Sequence, residues 1–268
     1  MPGEKVAGWI YGGGKAHDGA YAEYVLCHKR RLYRLPQETK LSWEVLGAVP
    51  MSMWTAFGSI FEAGGLDRKM GADGKVRKAT LLVHGGTSSV GMWAILLAKD
   101  RGHEVVATTR RKEKVEKLKR AGADHVVLEE MEKKVAELYP EGVDVVLELV
   151  GPAHMVKSLS LTARYGSVVV TGVLTKDWDQ EGFRPSMIPP CRNLTFYGMT
   201  NRGSLGPEDE ALDIVEDVLK DVIGKVESGK YKKEIFMDKV FKLEDVGKVH
   251  EYMENNQANG KVVCIIGD

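Results

Sequence analysis

The chain has 268 residues, of which 43% are hydrophobic and 28% are charged, so it can bury a substantial core and we expect it to be soluble. Its 38 basic and 38 acidic residues balance, which favours neither nucleic acid nor membrane as a partner. Three scattered cysteines without a C-x-x-C argue against a disulfide framework and a structural zinc site. No secretion signal or membrane-spanning apolar run is recognised, so we expect a cytoplasmic protein.

The amino-terminal region predicts antiparallel strands. Val6–Tyr11 and Ala20–Leu35 alternate and are rich in aromatic residues, with a glycine-rich hairpin around Gly12–Gly14 between them. For Tyr21 and Tyr24, we favour packing at a strand edge over a catalytic role.

The segment Ala79–Gly91, ATLLVHGGTSSVG, carries the clearest functional signal. A β-branched strand ends in two glycines, and Gly86, Ser88 and Gly91 then occupy the three marked positions of a G-x-G-x-x-G pattern. An apolar helix, Met92–Lys99, follows at once. Strand, tight turn and helix N-terminus together predict a pyrophosphate site, because free N–H groups and the helix dipole converge there. The alternative is an ordinary turn whose glycines only ease packing.

The next strand, Glu104–Thr109, bears on the choice of cofactor. An NAD-binding protein places an acidic residue at its end, for the ribose 2′-hydroxyl. Here the strand is followed by Arg110 and Arg111, and two cations suit a 2′-phosphate. The sequence therefore predicts NADPH, with solvated arginines at a helix start as the alternative.

The region that follows predicts alternating strands and helices. The predicted strands are Glu104–Thr109, His125–Leu128, Val143–Val150, Gly166–Val173 and Leu194–Gly198, and the predicted helices are Lys112–Arg120, Met131–Tyr139, Ala153–Thr162 and Glu208–Ser228. Val143–Val150 is interrupted only by Asp144 and Glu148, so we expect it to be mostly buried. This rhythm predicts an α/β fold with a Rossmann-type doubly wound parallel sheet.

The carboxyl-terminal region returns to β character. Ile235–Phe241 predicts a strand, Leu243–Asn255 an amphipathic helix and Lys261–Ile266 a final strand. Because both ends of the chain have this character, we expect residues 1–42 and 235–268 to form one small domain beside a cofactor domain of residues 43–234.

Several motifs in register resemble the medium-chain dehydrogenase/reductase superfamily, in its zinc-independent, quinone-oxidoreductase-like branch. They are GAYAEY, GAVPMSMWTAFGSIFEAGGL, ATLLVHGGTSSVG, GVDVVLELVG, YGSVVVTG and the carboxyl-terminal FKLEDVGKVHEYMENNQANGKVVCIIG. The resemblance implies that the small domain is a partial GroES-like catalytic domain, since family members begin well before the equivalent of Gly3. It implies an NADPH-dependent oxidoreductase that transfers a hydride to a quinone, enone or other carbonyl substrate, with a non-catalytic NADPH-binding protein as the alternative.

The resemblance also assigns cofactor contacts to particular positions. Ser88, Ser89, Val90 and Gly91 would cradle the pyrophosphate, with Gly86 allowing close approach, and Arg110, Arg111 and Lys114 would face the 2′-phosphate. The nicotinamide end would meet Thr55, Val150, Gly151, Gly172, Val173, Leu174, Met199 and Thr200, and Lys261 is a further candidate. Lys114 is equally well interpreted as a solvated helix lysine. No general acid is identified.

The remaining expectations concern metal and assembly. Zinc-dependent relatives carry a cysteine ligand where this chain has Met51–Thr55, and its seven histidines lack ligand spacing, so no catalytic zinc is expected. Relatives commonly dimerise through an edge strand, and Leu194–Gly198 is a β-prone candidate for one. We therefore expect a homodimer, unless Asn201–Glu208 covers that edge.

Overall fold

The computed structural model describes residues 2–10, 13–14, 17–71, 73–198 and 211–267. The chain divides into two compact units, one formed by Met1–Trp54 with Met199–Asp268 and the other by Thr55–Gly198. We call them the terminal unit and the sheet unit. Within the described ranges, no helix is long and apolar enough to cross a membrane.

Short strands and helices follow one another along the chain. The strands are β1 (Val6–Gly8), β2 (Leu32–Arg34), β3 (Thr80–His84), β4 (Glu104–Thr108), β5 (His125–Val127), β6 (Val143–Glu148), β7 (Thr162–Val170), β8 (Asn193–Phe196), β9 (Met237–Lys242) and β10 (Lys261–Ile265). The α-helices are α1 (Trp43–Ala48), α2 (Pro50–Phe57), α3 (Ser89–Asp100), α4 (Val115–Ala121), α5 (Met131–Leu138), α6 (Met155–Ser160), α7 (Ala211–Glu227), α8 (Lys233–Phe236) and α9 (Val246–Glu254).

The sheet unit is built on a six-stranded sheet in the order β5-β4-β3-β6-β7-β8. Its neighbouring strands run parallel, and at the centre Leu82 lies opposite both Val106 and Val146. The strand order reverses between β3 and β6, which is the point where doubly wound sheets bind ligands at the carboxyl ends of their strands. The predicted α/β fold of Rossmann type is confirmed.

The core of the sheet unit lies around β6, in which every residue is buried. Leu82, Val106 and Val146 pack in one apolar cluster with Leu159 of α6 and Val168 of β7. A strand covered by apolar side chains in this way needs no alternation of polar residues, as expected for a parallel sheet. The prediction that Val143–Val150 is mostly buried is confirmed.

Two predicted boundaries in this unit are shifted. The helix predicted over Ala153–Thr162 is α6, which ends at Ser160 because Thr162 leaves the helix and its Oγ1 donates to the Leu159 carbonyl at 2.8 Å. β7 then starts at Thr162, which pairs with Val143, and not at the predicted Gly166. The pairing of β6 with β7 has a register shift between Val143 and Val145. Gly166 therefore lies inside β7 and not at its start.

The terminal unit contains less β structure at its amino-terminal end than the sequence predicts. β1 pairs antiparallel with β2 as predicted, but of the strand predicted over Ala20–Leu35 only Leu32–Arg34 is present, because residues 20–28 form bends and irregular chain and Lys29–Arg31 form a 3-10 turn. Tyr24 and Leu26 are 89% and 95% exposed, so the alternation in this segment does not mark a buried face. Tyr21 is 63% exposed, and its hydroxyl lies 3.1 Å from His250 Nε2, so neither tyrosine is a packed strand-edge aromatic.

At the carboxyl-terminal end, β9 and β10 pair in parallel. The strand predicted over Ile235–Phe241 begins only at Met237, because Ile235 and Phe236 belong to the short helix α8, where both are buried. The predicted helix and final strand are present as α9 and β10.

Candidate cofactor-binding site

The turn after β3 packs tightly against β4 and the start of α3. The Gly85 N–H donates to Thr108 Oγ1 at 3.1 Å, and the Gly86 N–H donates to the Thr108 carbonyl at 3.0 Å. A Cβ atom on Gly86 would lie 3.0 Å from Ala107 Cβ, and one on Gly91 would lie 2.7 Å from the carbonyl oxygens of both Gly85 and Gly86. A side chain at Gly91 would therefore force the backbone apart, whereas one at Gly86 would make tight contacts to which its neighbours would have to yield by a few tenths of an ångström.

Helix α3 begins with unpaired backbone donors. Ser88 is the N-cap, and its Oγ accepts the Gly91 N–H at 3.0 Å while its carbonyl accepts the Met92 N–H at 2.9 Å. Within the described part of the chain, the N–H groups of Ser89 and Val90 have no acceptor. Together with the helix dipole, two such donors would favour the binding of a phosphate. The Gly91 N–H is used inside the turn instead.

Basic side chains follow the end of β4. Thr108 and Thr109 are buried, whereas Arg110 and Arg111 are exposed and Lys114 is half-buried. The Arg111 N–H donates to Thr109 Oγ1 at 3.2 Å, so the chain turns directly after the strand. The Arg110 guanidinium has no hydrogen bond or ion pair with any described residue, which leaves its donors available to an anionic group.

The loops after β6 and β7 are bound to each other. The Thr175 N–H and Oγ1 both donate to the Val150 carbonyl, at 3.0 and 3.1 Å. Gly151 has a φ of +152°, and a Cβ atom there would lie 2.6 Å from Thr175 Oγ1. The backbone of Val150 and Gly151 is thus held at the carboxyl end of the sheet.

The β7 loop also reaches the glycine turn. A Cβ atom on Gly172 would lie 2.8 Å from the Leu149 carbonyl oxygen, so glycine allows the close approach of these loops. Val173 is half-buried and Leu174 is 60% exposed. The Leu174 side chain lies beside Gly85, since its Cδ1 would be 3.3 Å from a Cβ at that glycine. The structure therefore brings these predicted residues to one edge of the sheet.

Thr55 is joined to the same edge through two hydroxyl groups that sequence reasoning missed. Ser59 Oγ donates to the Thr55 carbonyl at 2.6 Å and lies 2.8 Å from Thr171 Oγ1, at the end of β7. Ser59 is fully buried. No local pattern marks this pair, because the two hydroxyl groups meet only in the folded sheet unit.

Glu148 is the centre of a hydrogen-bond network at the end of β6. Its Oε1 accepts the N–H groups of Val150 and Gly151 at 2.9 and 3.3 Å. Its Oε2 lies 2.7 Å from Ser158 Oγ and 2.7 Å from His84 Nδ1. Sequence reasoning missed this network, although an acidic residue in an otherwise apolar strand was the signal that could have found it.

Three predicted residues lie outside the described part of the sheet unit. Met199 and Thr200 lie outside the described residues. Lys261 belongs to the terminal unit, at the start of β10, where burial lowers the pKa of its ammonium group.

No metal centre is formed within the described ranges, where no three His, Cys, Asp or Glu side chains lie close enough together to hold an ion. Met51–Thr55, the segment compared with a zinc-ligand position, lies in helix α2. Cys27, Cys191 and Cys264 form no disulfide.

A parallel sheet whose first glycine turn opens a helix defines a Rossmann-type domain, and comparison with known proteins agrees with this class. The family model for zinc-binding dehydrogenases matches residues 89–217. The chain is 30% identical over 265 residues to an NAD-dependent alcohol dehydrogenase of Saccharolobus solfataricus, covering 92% of this chain and 65% of the relative. It is 29% identical over 161 residues to a quinone oxidoreductase of Pongo abelii, covering 58% and 45%.

Two further comparisons extend this picture. The chain is 30% identical over 247 residues to a 2-methylene-furan-3-one reductase of Solanum lycopersicum, covering 91% of this chain and 52% of the relative. The crystal structure of a quinone oxidoreductase from Pseudomonas syringae has the same fold, with a TM-score of 0.76, 21% identity, and coverage of 98% of this chain and 75% of that one. The chain spans between 45% and 65% of the length of the three curated relatives.

These similarities to alcohol dehydrogenases and quinone oxidoreductases support the resemblance to the medium-chain dehydrogenase/reductase superfamily, in its quinone-oxidoreductase-like branch, that was found in the sequence.

Proposed function

We propose that the protein binds NADPH along the carboxyl edge of its parallel sheet and reduces a quinone, an enone or another carbonyl compound. The observation that supports this most strongly is the turn after β3. A side chain at Gly91 would clash with the backbone, Gly86 is closely packed, and the N–H groups of Ser89 and Val90 have no acceptor within the described residues. A pyrophosphate fits such a cradle because it needs close backbone approach and several donors.

The preference for NADPH rests on the residues after β4. In a sheet of this type the adenosine ribose lies at the end of that strand, where an acidic residue would bind a 2′-hydroxyl. Arg110 and Arg111 would instead pair with a 2′-phosphate, and Lys114 is close to them in the chain. Arginine suits this role because its planar group binds phosphate through two donors.

The nicotinamide end of the cofactor is assigned to the loops after β6 and β7. Val150, Gly151 and Gly172 offer backbone that is already fixed, and Thr55 is tied to this edge through Ser59. When bound, the cofactor supplies a hydride from C4 of its dihydronicotinamide ring. The residues of the chain hold the ring in a productive position and keep water away from it.

The substrate would be an electrophile whose carbonyl gains negative charge as the hydride arrives. Without zinc, hydrogen-bond donors or solvent must stabilise that charge. The longer reductases among the relatives support this reaction class, and the activity of this chain is our proposal.

An NADPH-binding protein without turnover is the second candidate. It is favoured by the apolar surface at Tyr24 and Leu26, whose side chains are 89% and 95% exposed. Apolar side chains exposed to this degree are more typical of an interaction surface than of a closed substrate pocket.

Two measurements test the proposal. Fluorescence titration should give a lower Kd for NADPH than for NADH, and equal or reversed affinities would contradict the assignment of Arg110 and Arg111. Consumption of NADPH across a panel of quinones and enones should then reveal turnover. Binding without consumption of any substrate would favour the second candidate.

We further propose that the protein is a homodimer paired through β8. This strand lies at one edge of the six-stranded sheet, and Phe196 at its end is 52% exposed. An unpaired β edge with an exposed aromatic side chain tends to find a partner, and twofold pairing is the commonest arrangement. Asn201–Glu208, the segment that could cover the edge, lies outside the described residues. Light scattering over a dilution series tests the dimer, and a monomer mass throughout would exclude it.

A further inference from the structure

The carboxylate of Glu148 is buried at the point where the strand order of the sheet reverses. Glu148 is the last residue of β6 and lies opposite His84, the last residue of β3, in the register of the two central strands. Its side chain is fully buried. A charge in such a place is stable only when it is paired and hydrogen-bonded, so the contacts of this carboxylate decide what it does.

All of these contacts come from groups able to donate a hydrogen bond. Two are backbone N–H groups, of Val150 and Gly151, and two are side chains, Ser158 Oγ from α6 and His84 Nδ1 from β3. An ionised carboxylate can only accept hydrogen bonds, and here both of its oxygens do so. Because Nδ1 of His84 faces the carboxylate, the donating proton lies on that nitrogen, and the carboxylate orients the imidazole ring.

The loop held by this carboxylate is bound from the other side as well. Glu148 takes the N–H of Val150, and Thr175 donates twice to the carbonyl of the same residue. Both backbone groups of Val150 are therefore occupied, and Gly151 is fixed at a φ of +152°. The backbone of Val150 and Gly151 is therefore held from both sides. This loop lies where the nicotinamide ribose would bind.

We propose that Glu148, oriented by His84 and Ser158, is a positioning residue for the nicotinamide half of the cofactor. This inference rests on the proposed binding of NADPH. In this role Glu148 would act through the backbone and would touch neither cofactor nor substrate. It fixes the direction of the Val150 and Gly151 backbone, so that the nicotinamide end meets a preformed surface. Because the loop is already ordered, binding then costs less conformational entropy.

The variant Glu148→Gln tests this role because it keeps the shape of the side chain and replaces one acceptor oxygen by a donor. The affinity for NADPH should fall about tenfold, the effect expected for one disturbed hydrogen bond to a charged group. The affinity for 2′,5′-ADP, which carries the adenosine half alone, should change less than about twofold, since that half meets β4 and the turn after β3.

A matched control is available in the same strand. Asp144 is also a buried carboxylate of β6, but it binds Arg77 and the Thr80 N–H at the amino end of the sheet. Asp144→Asn should lower stability without changing the ratio of the NADPH and 2′,5′-ADP affinities. If Glu148→Gln does not fold, Ser158→Ala provides a second test, because it removes a single donor to Glu148. Its affinity for NADPH should fall about threefold, and its affinity for 2′,5′-ADP should not change.

Hydrogen exchange of the free protein gives a second readout. The peptide containing the Val150 and Gly151 amides should exchange faster in Glu148→Gln, or in Ser158→Ala, than in Asp144→Asn or the wild type. Parallel losses of both ligands, or an unchanged NADPH affinity in a folded variant, would overturn the positioning role. A wild-type protein that binds neither ligand would instead refute the proposed function, and the inference with it.

Discussion

Gly91 packs helix α3 closely against the turn after β3, so replacing it tests the predicted phosphate site directly. In Gly91→Ala, the new Cβ would lie 2.7 Å from the carbonyl oxygens of Gly85 and Gly86. Ordinary contact begins near 3.4 Å, so the helix start must move away from the turn by about 0.7 Å. Both neighbours are backbone atoms, which cannot rotate aside as a flexible side chain would.

The energetic consequence can be bounded. Overpacking of this kind costs about 1–3 kcal/mol, whereas alanine gains only roughly 0.5–1 kcal/mol over glycine through helix propensity. We therefore expect a net loss of stability of up to about 2.5 kcal/mol. The same displacement moves the N–H groups of Ser89 and Val90, so the affinity for NADPH should fall about tenfold or more.

Gly224→Ala is the matched control. Gly224 also lies in a helix, α7, but a Cβ atom there would meet nothing within 4 Å. This variant should gain about 0.5–1 kcal/mol and bind NADPH as the wild type does. Thermal unfolding and fluorescence titration of both variants decide the question. If Gly91→Ala were as stable as the wild type and bound NADPH within about twofold, the steric argument would fail.

Three further outcomes are expected. Arg110→Ala combined with Arg111→Ala should weaken NADPH about ten- to a hundredfold by titration, with little change for NADH, because charge-assisted contacts to the 2′-phosphate are lost. Burial and the neighbouring His84 lower the pKa of His154 below its ordinary 6.5, so the stability linked to the neutral ring is present above pH 6.5 and is lost as the pH falls. Thermal unfolding of His154→Gln should therefore decline less than that of the wild type between about pH 7.5 and 5.5. Elemental analysis should find no stoichiometric zinc, and a chelator should not change NADPH affinity.

Each of these outcomes has a contrary result. Arg120→Ala removes a positive charge of α4 away from the end of β4, so an equal loss of NADPH affinity in that variant would mean a general charge effect. If the stability of His154→Gln falls with pH as steeply as that of the wild type, the burial of this histidine is not the cause. One tightly held zinc per chain would contradict the zinc-free site.

The local sequence was sufficient for the segment from β3 to α3 and for the cations after β4. A β-branched run, two glycines and an apolar helix encode their conformation through contacts between near neighbours, so strand, glycine turn and helix were predicted in the right order, although α3 begins at Ser89 and not at the predicted Met92. Arg110 and Arg111 need only follow a strand to lie at its carboxyl end. The apolar composition of β6 likewise predicted that this strand is buried.

Tertiary structure alone decided the polar network and the amino-terminal segment. His84 and Glu148 are 64 residues apart, and Ser59 and Thr171 are 112 apart, so no short pattern can show that they meet. The acidic residue Glu148 in an apolar strand was visible in the sequence, but its hydrogen-bond partners come from β3 and α6 and were not. The alternation in Ala20–Leu35 was equally visible, but it marks a strand only at Leu32–Arg34, because only there does a partner, β1, pair with this segment.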